Sequence, residues 1–201
     1  MILFGASGHG KVIIDILESM HEPHIEIWDD ADKEPLWEYS VLKPTNRDSV
    51  GELIIIGIGV NATRKKIAER FGESFGFGIA THSRAYISGR ATVGAGTVIM
   101  AGATINPDAV IGRHCIINTS ASIDHDCVLG DYVHISPNAT LSGDVQVGEG
   151  THIGSGACVI QGIRIGKWCT IGAGAVIIKD IPDNATAVGN PSRIIKVKEQ
   201  Q

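Results

Sequence analysis

Apolar positions recur along this chain with two different rhythms, and the change between them falls near residue 83. In the first part, short apolar runs alternate with helix-like patterning. Residues 1–4 predict a short strand, and KVIIDILESM at 11–20 places Val12, Ile13, Ile16, Leu17 and Met20 on one helical stripe. Residues 25–28 predict a second strand. Residues 53–58 (LIIIGI) predict a buried strand of parallel type, followed by a helix over ATRKKIAERF at 62–71. Strand, helix, strand, then strand and helix describe a truncated α/β Rossmann-like unit over residues 1–82.

From Ala85 to Asp180 the chain divides into sixteen consecutive hexads without an insertion. The third place of every hexad is Ile, Val or Leu, the first is small or β-branched, and Gly is frequent in the fourth and sixth. A period of six fits neither a helix at 3.6 residues per turn nor an alternating strand. It predicts a parallel β-helix in which each hexad gives one short strand and one corner, with the third-place aliphatic turned inward. Prisms built from such repeats are left-handed, so residues 83–201 are expected to form a left-handed parallel β-helix with a closing loop. Three faces make a coil of 18 residues, giving just over five coils. Residues 18 apart then stack about 4.8 Å from each other.

Composition narrows the partners. The net charge of -5 lacks the basic footprint of a general nucleic-acid binder, and no apolar run nears the ~20 residues of a membrane span. No basic segment precedes the apolar start, so a signal peptide is not expected and a cytoplasmic location is. Cys115, Cys127, Cys158 and Cys169 form no CxxC pair and no metal-ligand spacing; three of them occupy the small first place of a hexad and are expected to fill the core. No metal site is expected.

The candidate chemistry lies at three places. GASGHG at 5–10 joins the first strand to the first helix, where backbone N–H groups can receive a phosphate. Asp29 and Asp30 end the second strand, placed to hold a sugar hydroxyl. The same loop could also be a tight turn without a ligand; some 80 residues are too few for a full dinucleotide fold and suit a nucleotide-sugar better. His9, inside the loop, contacts the sugar or caps the helix. In the prism, His125 occupies a corner between Asp124 and Asp126. It is either a solvated side chain or a base whose pKa the carboxylates raise, with the Gly143 N–H one coil on, facing a developing oxyanion. His134 and His152 are second-place residues 18 apart on one outer face: a surface ladder, a groove lining or a metal pair. His114 has no evident partner. The closing segment with GNPSR resembles that of hexapeptide acyltransferases, which covers the nucleotide end of coenzyme A. Arg193, Lys196 and Lys198 could meet its phosphates or be a solvated basic tail.

On these residues the chain resembles the bacterial UDP-4-amino-sugar N-acetyltransferases, grouped with the sialic acid O-acetyltransferases. The resemblance covers nearly the whole length. It rests on GASGHG, Asp29-Asp30, the IGxNxxRKKI run at 58–67, NTS at 118–120, IDHDCVLGDYVHIS at 123–136, SGDVQVG at 142–148 and the closing VGNPS. It implies a homotrimer with active sites between adjacent prisms. Acetyl-CoA is the cosubstrate and the amine of a nucleotide-linked sugar the acceptor, such as UDP-4-amino-4,6-dideoxy-N-acetylglucosamine, for glycan or surface polysaccharide assembly. It also implies that His125 is the general base, Asp126 its acidic companion and Asn118 nearby. His134 would border the acetyl-CoA groove with Gly143, Ser155 and Ala173 along it. Ser7, Gly8, His9, Asp29, Asp30 and Gly59 would hold the nucleotide-sugar. O-acetylation of a sialic acid is the alternative. A prism-type zinc carbonic anhydrase would need histidines two coils apart, and no prism histidines are 36 apart. A passive β-helix would not need the nucleotide-type domain.

Overall fold

The computed structural model describes residues 1–44 and 51–197. Its N-terminal part contains β1 (Ile2–Phe4), α1 (Gly8–Ser19), β2 (Glu26–Trp28), β3 (Val41–Leu42), β4 (Leu53–Ile56), α2 (Asn61–Phe71) and β5 (Gly76–Phe77). The five strands are parallel in the order β3-β2-β1-β4-β5, which is half of a doubly wound sheet. β3 and β5 are two-residue edge strands, too short to leave a period in the sequence.

The predicted stripe on α1 needs correction. Val12 and Met20 are exposed, whereas Ile13, Ile14, Ile16 and Leu17 are fully buried. The cause is that α1 is covered twice, by the sheet through Leu3, Ile27 and Ile55 and by the prism through Ala80, Val98, Met100 and Ile116. A helix clamped between two layers buries more than one stripe. On the other side of the sheet, Phe71 and Phe75 near the end of α2 close over Phe4 and Trp28.

The hexads form the three-sided parallel β-helix that their period predicts. The three faces are sheets of six, five and eight strands, and each strand pairs in parallel with the one 18 residues on, as in Ile116↔His134, Ser122↔Thr140 and Val128↔Gln146. Third-place residues such as Ile117, Ile123 and Leu129 fill the interior with the first-place Cys115, Ala121 and Cys127. Burial pushes the Cys115 thiol up to about 12, so it packs as a small apolar group. The sixth place is a left-handed corner: Asp108, Asp126, Asn138 and Asp144 have φ between 57 and 62°. Asp and Asn tolerate that region best after Gly. The prism begins at Ala80–Thr81, which pairs with Val98–Ile99. That is a strand earlier than the first hexad, because Thr81 replaces the aliphatic of the third place. Its far end shortens: Thr170 pairs with Thr186, 16 residues on, and a hairpin of Ala185–Val188 and Arg193–Val197 closes the last coil.

One face carries the N-terminal domain. There the outward second-place residues are first apolar, Val98 and Ile116, both buried under α1. Over the next two coils the same place holds His134 and His152. The change from aliphatic to imidazole marks where domain packing ends and a polar cleft begins.

Candidate active site

His125 stands at the corner between the six-stranded and the five-stranded faces, exposed to solvent. Its backbone N–H donates to Asp124 Oδ1 at 2.8 Å, an oxygen that also accepts from Asn106 Nδ2 at 2.8 Å. The left-handed turn at Asp126 lets two consecutive side chains meet, and His125 Nδ1 lies 2.7 Å from Asp126 Oδ2. With Nδ1–H donating to the carboxylate, Nε2 keeps its lone pair for a proton. The bond to Asp126 and the nearby charges of Asp124 and Asp144 raise the pKa of His125 above its usual value. The ring lies on Gly143 of the next coil: a Cβ there would stand 2.5 Å from Cε1 and 2.7 Å from Nε2. Among the described residues no backbone carbonyl accepts the Gly143 N–H. The base and a free donor therefore share one corner.

Asn118 is not beside His125 in the same chain. It starts the opposite corner of the six-stranded face, where its Nδ2 lies 3.1 Å from His134 Nε2 and its Oδ1 accepts the Thr119 N–H. The physical reason is the register: His125 is in the fifth place of the following hexad, one strand (Ser122–Ile123) further round the prism. Ser155 and Ala173 lie on the Asn118 corner, in its exposed fifth-place row, and not on the corner of His125 and Gly143. The predicted residues thus divide between the two edges of one face.

His134 and His152 stack with ring centroids 4.7 Å apart, and His152 Nε2 is 2.7 Å from Ser136 Oγ. They do not line an open outer surface, because the N-terminal domain reaches over them. Burial, with His152, Arg64 and His9 beside it, lowers the pKa of His134 to about 3, and the Gly59 backbone bordering the ring opposes this in part. Burial and Arg64 likewise lower His9 to about 4, and its Nε2 is buried with no partner. His134, His9 and Gly59, which the resemblance divides between cofactor and sugar, gather in one cleft.

Around the glycine loop the three glycines do different work. Gly5 takes φ 116° at the turn, and a Cβ at Gly10 would collide with the Gly5 carbonyl oxygen. Gly8 has no atom within 4 Å of its Cβ position, and the side chain of Ser7, the N-cap, makes no capping bond. Both face open space at the helix N-terminus, as a phosphate site requires. Asp29 spends its carboxylate first on the loop itself, with Oδ2 accepting from Ala6 N and Oδ1 from Ala31 N, each at 2.9 Å. Asp30 pairs at the surface with Arg70 at 2.7 Å. Each carboxylate oxygen retains acceptor capacity for a sugar hydroxyl.

At the closing hairpin, Arg193 lines a cavity of about 340 Å³ with Lys179, Ser192 and Ile194. Lys179 belongs to the corner row of His125, Gly143 and Gln161, three coils on from the histidine. Lys196 is on the hairpin, exposed, and Lys198 lies outside the described residues. Two residues that sequence reasoning gave no task are Asn61 and Arg64. Both are buried polar groups on α2, and the signal was their place in the IGxNxxRKKI run. Among the described residues no group of three or more His, Cys, Asp or Glu is arranged to hold a metal, and no helix is long and apolar enough to cross a membrane.

A half Rossmann sheet docked on a hexapeptide prism, with a carboxylate-held histidine at a corner, defines an acyltransferase of the hexapeptide-repeat class. Comparison with known proteins narrows this. The PglD N-terminal domain profile matches residues 1–71, and the bacterial transferase hexapeptide profile matches 90–124, 108–143 and 144–179. The acetyltransferase domain of PglB from Neisseria gonorrhoeae FA1090 is 35% identical, with 96% of this chain and 98% of that chain covered and a TM-score of 0.93. It has also been solved in complex with acetyl coenzyme A. PerB from Caulobacter crescentus, in complex with CoA and GDP-perosamine, is 35% identical over 97% of this chain and 96% of that chain, with a TM-score of 0.90. WeeI from Acinetobacter baumannii AYE is 26% identical over 96% and 98%, with a TM-score of 0.88. No curated protein matches the chain. The chain belongs to the family of acetyl-CoA-dependent sugar N-acetyltransferases that join a PglD-type N-terminal domain to a hexapeptide prism.

Proposed function

We propose that the protein acetylates the amine of a nucleotide-linked amino sugar, a UDP-4-amino-4,6-dideoxy sugar in the reading its motifs favour, with acetyl-CoA as donor and His125 as general base. The observation that carries this is the His125 corner: Nδ1 held by Asp126, Nε2 free, and Gly143 packed against the ring with no backbone carbonyl accepting its N–H. As the sugar nitrogen attacks the thioester carbonyl, Nε2 takes the amine proton and the Gly143 N–H faces the oxyanion. The C–N bond forms, the C–S bond breaks, and the proton passes from Nε2 to the departing thiolate. The row from His125 through Gln161 to Lys179 and Arg193 gives the pantetheine arm a track towards the cavity at the closing hairpin. Ser7, Gly8, His9, Asp29, Asp30 and Gly59 serve the nucleotide-sugar. A cytoplasmic enzyme serving glycan assembly fits this reading.

The division of residues between two edges of one face supports a homotrimer. A neighbouring prism can set its His125 corner against the Asn118, Ser155 and Ala173 corner of this chain, and a cyclic assembly repeats the site three times. Complementation tests this. Subunits carrying His125→Ala are mixed and refolded with subunits carrying Asn118→Ala and His134→Ala together. Mixed oligomers should regain activity that both parents lack, because some interfaces pair an intact His125 with an intact Asn118 and His134. Mixtures no more active than their parents would place the whole site within one chain.

A further inference from the structure

We propose that Arg64, with Asn61, is a positioning residue of the acetyl-transfer site: it locks the Gly59 loop against the prism so that the Gly59 carbonyl fixes the orientation of His134. This rests on the functional reading above for its effect on catalysis, though not for the geometry. Arg64 is 1% exposed, and among the described residues no carboxylate pairs with it. A buried guanidinium without a counter-ion is expensive unless its donors are satisfied. Here they are satisfied by four backbone carbonyls and one side chain. Nη1 donates to Ile58 O at 2.9 Å and Gly59 O at 3.2 Å, Nε to His114 O at 2.8 Å, and Nη2 to Tyr132 O at 2.9 Å and to Asn61 Oδ1 at 2.8 Å. Asn61 Nδ2 in turn donates to Gly150 O at 2.9 Å and Thr151 O at 3.3 Å. Two residues of one helix turn thus tie the β4–α2 loop to successive coils of one prism corner.

That loop ends at the group that matters. The Gly59 carbonyl accepts from Arg64 and borders the His134 ring, whose Nε2 faces Asn118 Nδ2. Asn118 Oδ1 is taken by the Thr119 N–H, so its Nδ2 donates to Nε2 and the ring proton stays on Nδ1, a neutral imidazole in a single tautomer whose N–H the Gly59 carbonyl is placed to accept. The charge of Arg64 acts in the same direction, disfavouring a second cation on His134, His152, His9 and His114. The other charged groups bordering this cluster are Arg113 and Asp131 beside His114, Tyr132 stacked on it, and the Lys65–Glu149 pair on α2 and the prism. None of them hydrogen-bonds the His134 ring. A polar cation with no carboxylate therefore serves the histidine face of the cleft, where it costs the fold more than an aliphatic would.

The test uses the full-length protein labelled with ¹⁵N-histidine and reads His134 by its ring nitrogen shifts, alongside steady-state kinetics. In the wild type His134 should be the neutral Nδ1–H tautomer throughout pH 5–8. Arg64→Lys keeps the charge but not the five-donor fork, and should give His134 mixed tautomers. It should also lower kcat/KM for the nucleotide-sugar at least tenfold, with the Kd for CoA within threefold. Asn61→Ala, the milder variant, should move both readouts in the same direction, and it decides the matter if Arg64→Lys does not fold. The proposal fails if wild-type His134 titrates near its ordinary pKa or holds its proton on Nε2. It also fails if the variants fold and leave tautomer and kcat/KM unchanged. A wild-type protein inactive on every nucleotide-sugar would strike the functional reading instead, and the tautomer result would still decide the positioning.

Discussion

His125→Ala is expected to lower kcat by about 10²–10⁴-fold, the usual contribution of positioned proton transfer. The loss should fall on kcat, with CoA affinity little changed, because the ring lies at an exposed corner outside the aliphatic rows. The same position separates the loss from any collapse of the fold, and circular dichroism should show an unchanged prism. Asp126→Asn should cost less and should carry a different signature. Asp126 is the main cause of the raised His125 pKa, and a base works in its neutral form. In the wild type, activity should therefore rise with pH along a limb displaced above the ordinary histidine value. Losing the carboxylate should move that limb to lower pH and weaken the base. A His125→Ala enzyme within threefold of wild-type kcat would remove His125 from the base role and make His134 the next group to test.

Gly8→Val should raise KM for the nucleotide-sugar by about 10–100-fold and leave the acetyl-CoA constants nearly unchanged. Gly8 has open space around its Cβ position, so the added side chain meets no protein atom and projects where a phosphate would approach the helix N-terminus. Displacing a phosphate from one charge-assisted N–H bond forfeits roughly 1.5–3 kcal/mol, and each 1.4 kcal/mol is a tenfold change. Gly8→Ala, with a single methyl, should fall between. Parallel loss of both substrates would mean that the α/β domain is a structural support or holds CoA.

The prism was legible because its period is a property of the backbone: sixteen aliphatic third places in phase can serve only a six-residue turn of chain. The half Rossmann sheet was legible for a similar reason, since its central strands are continuous apolar runs. What the sequence hid were contacts between the two rhythms. Val12 and Ile14 are equally apolar, and only the prism on the far side of α1 buries Ile14 while leaving Val12 exposed. His125 and its carboxylates are neighbours in sequence and could be read directly. Asn118 and His134 are 16 residues apart on adjacent coils, and their pairing follows from stacking, which also separates Asn118 from His125. In the sequence Arg64 is one of several charges on α2. Its burial needs two carbonyls from the prism, His114 O and Tyr132 O, which no local pattern announces.

The most direct test of amino-sugar acetylation is to give the wild-type protein acetyl-CoA labelled with ¹³C at the carbonyl, together with UDP-, dTDP- and GDP-4-amino sugars and free sialic acid. NMR then follows the label. The account predicts an amide carbonyl on the sugar nitrogen, formed in step with free CoA thiol and abolished by His125→Ala. An ester carbonyl on a sugar hydroxyl, or transfer to sialic acid alone, would contradict it.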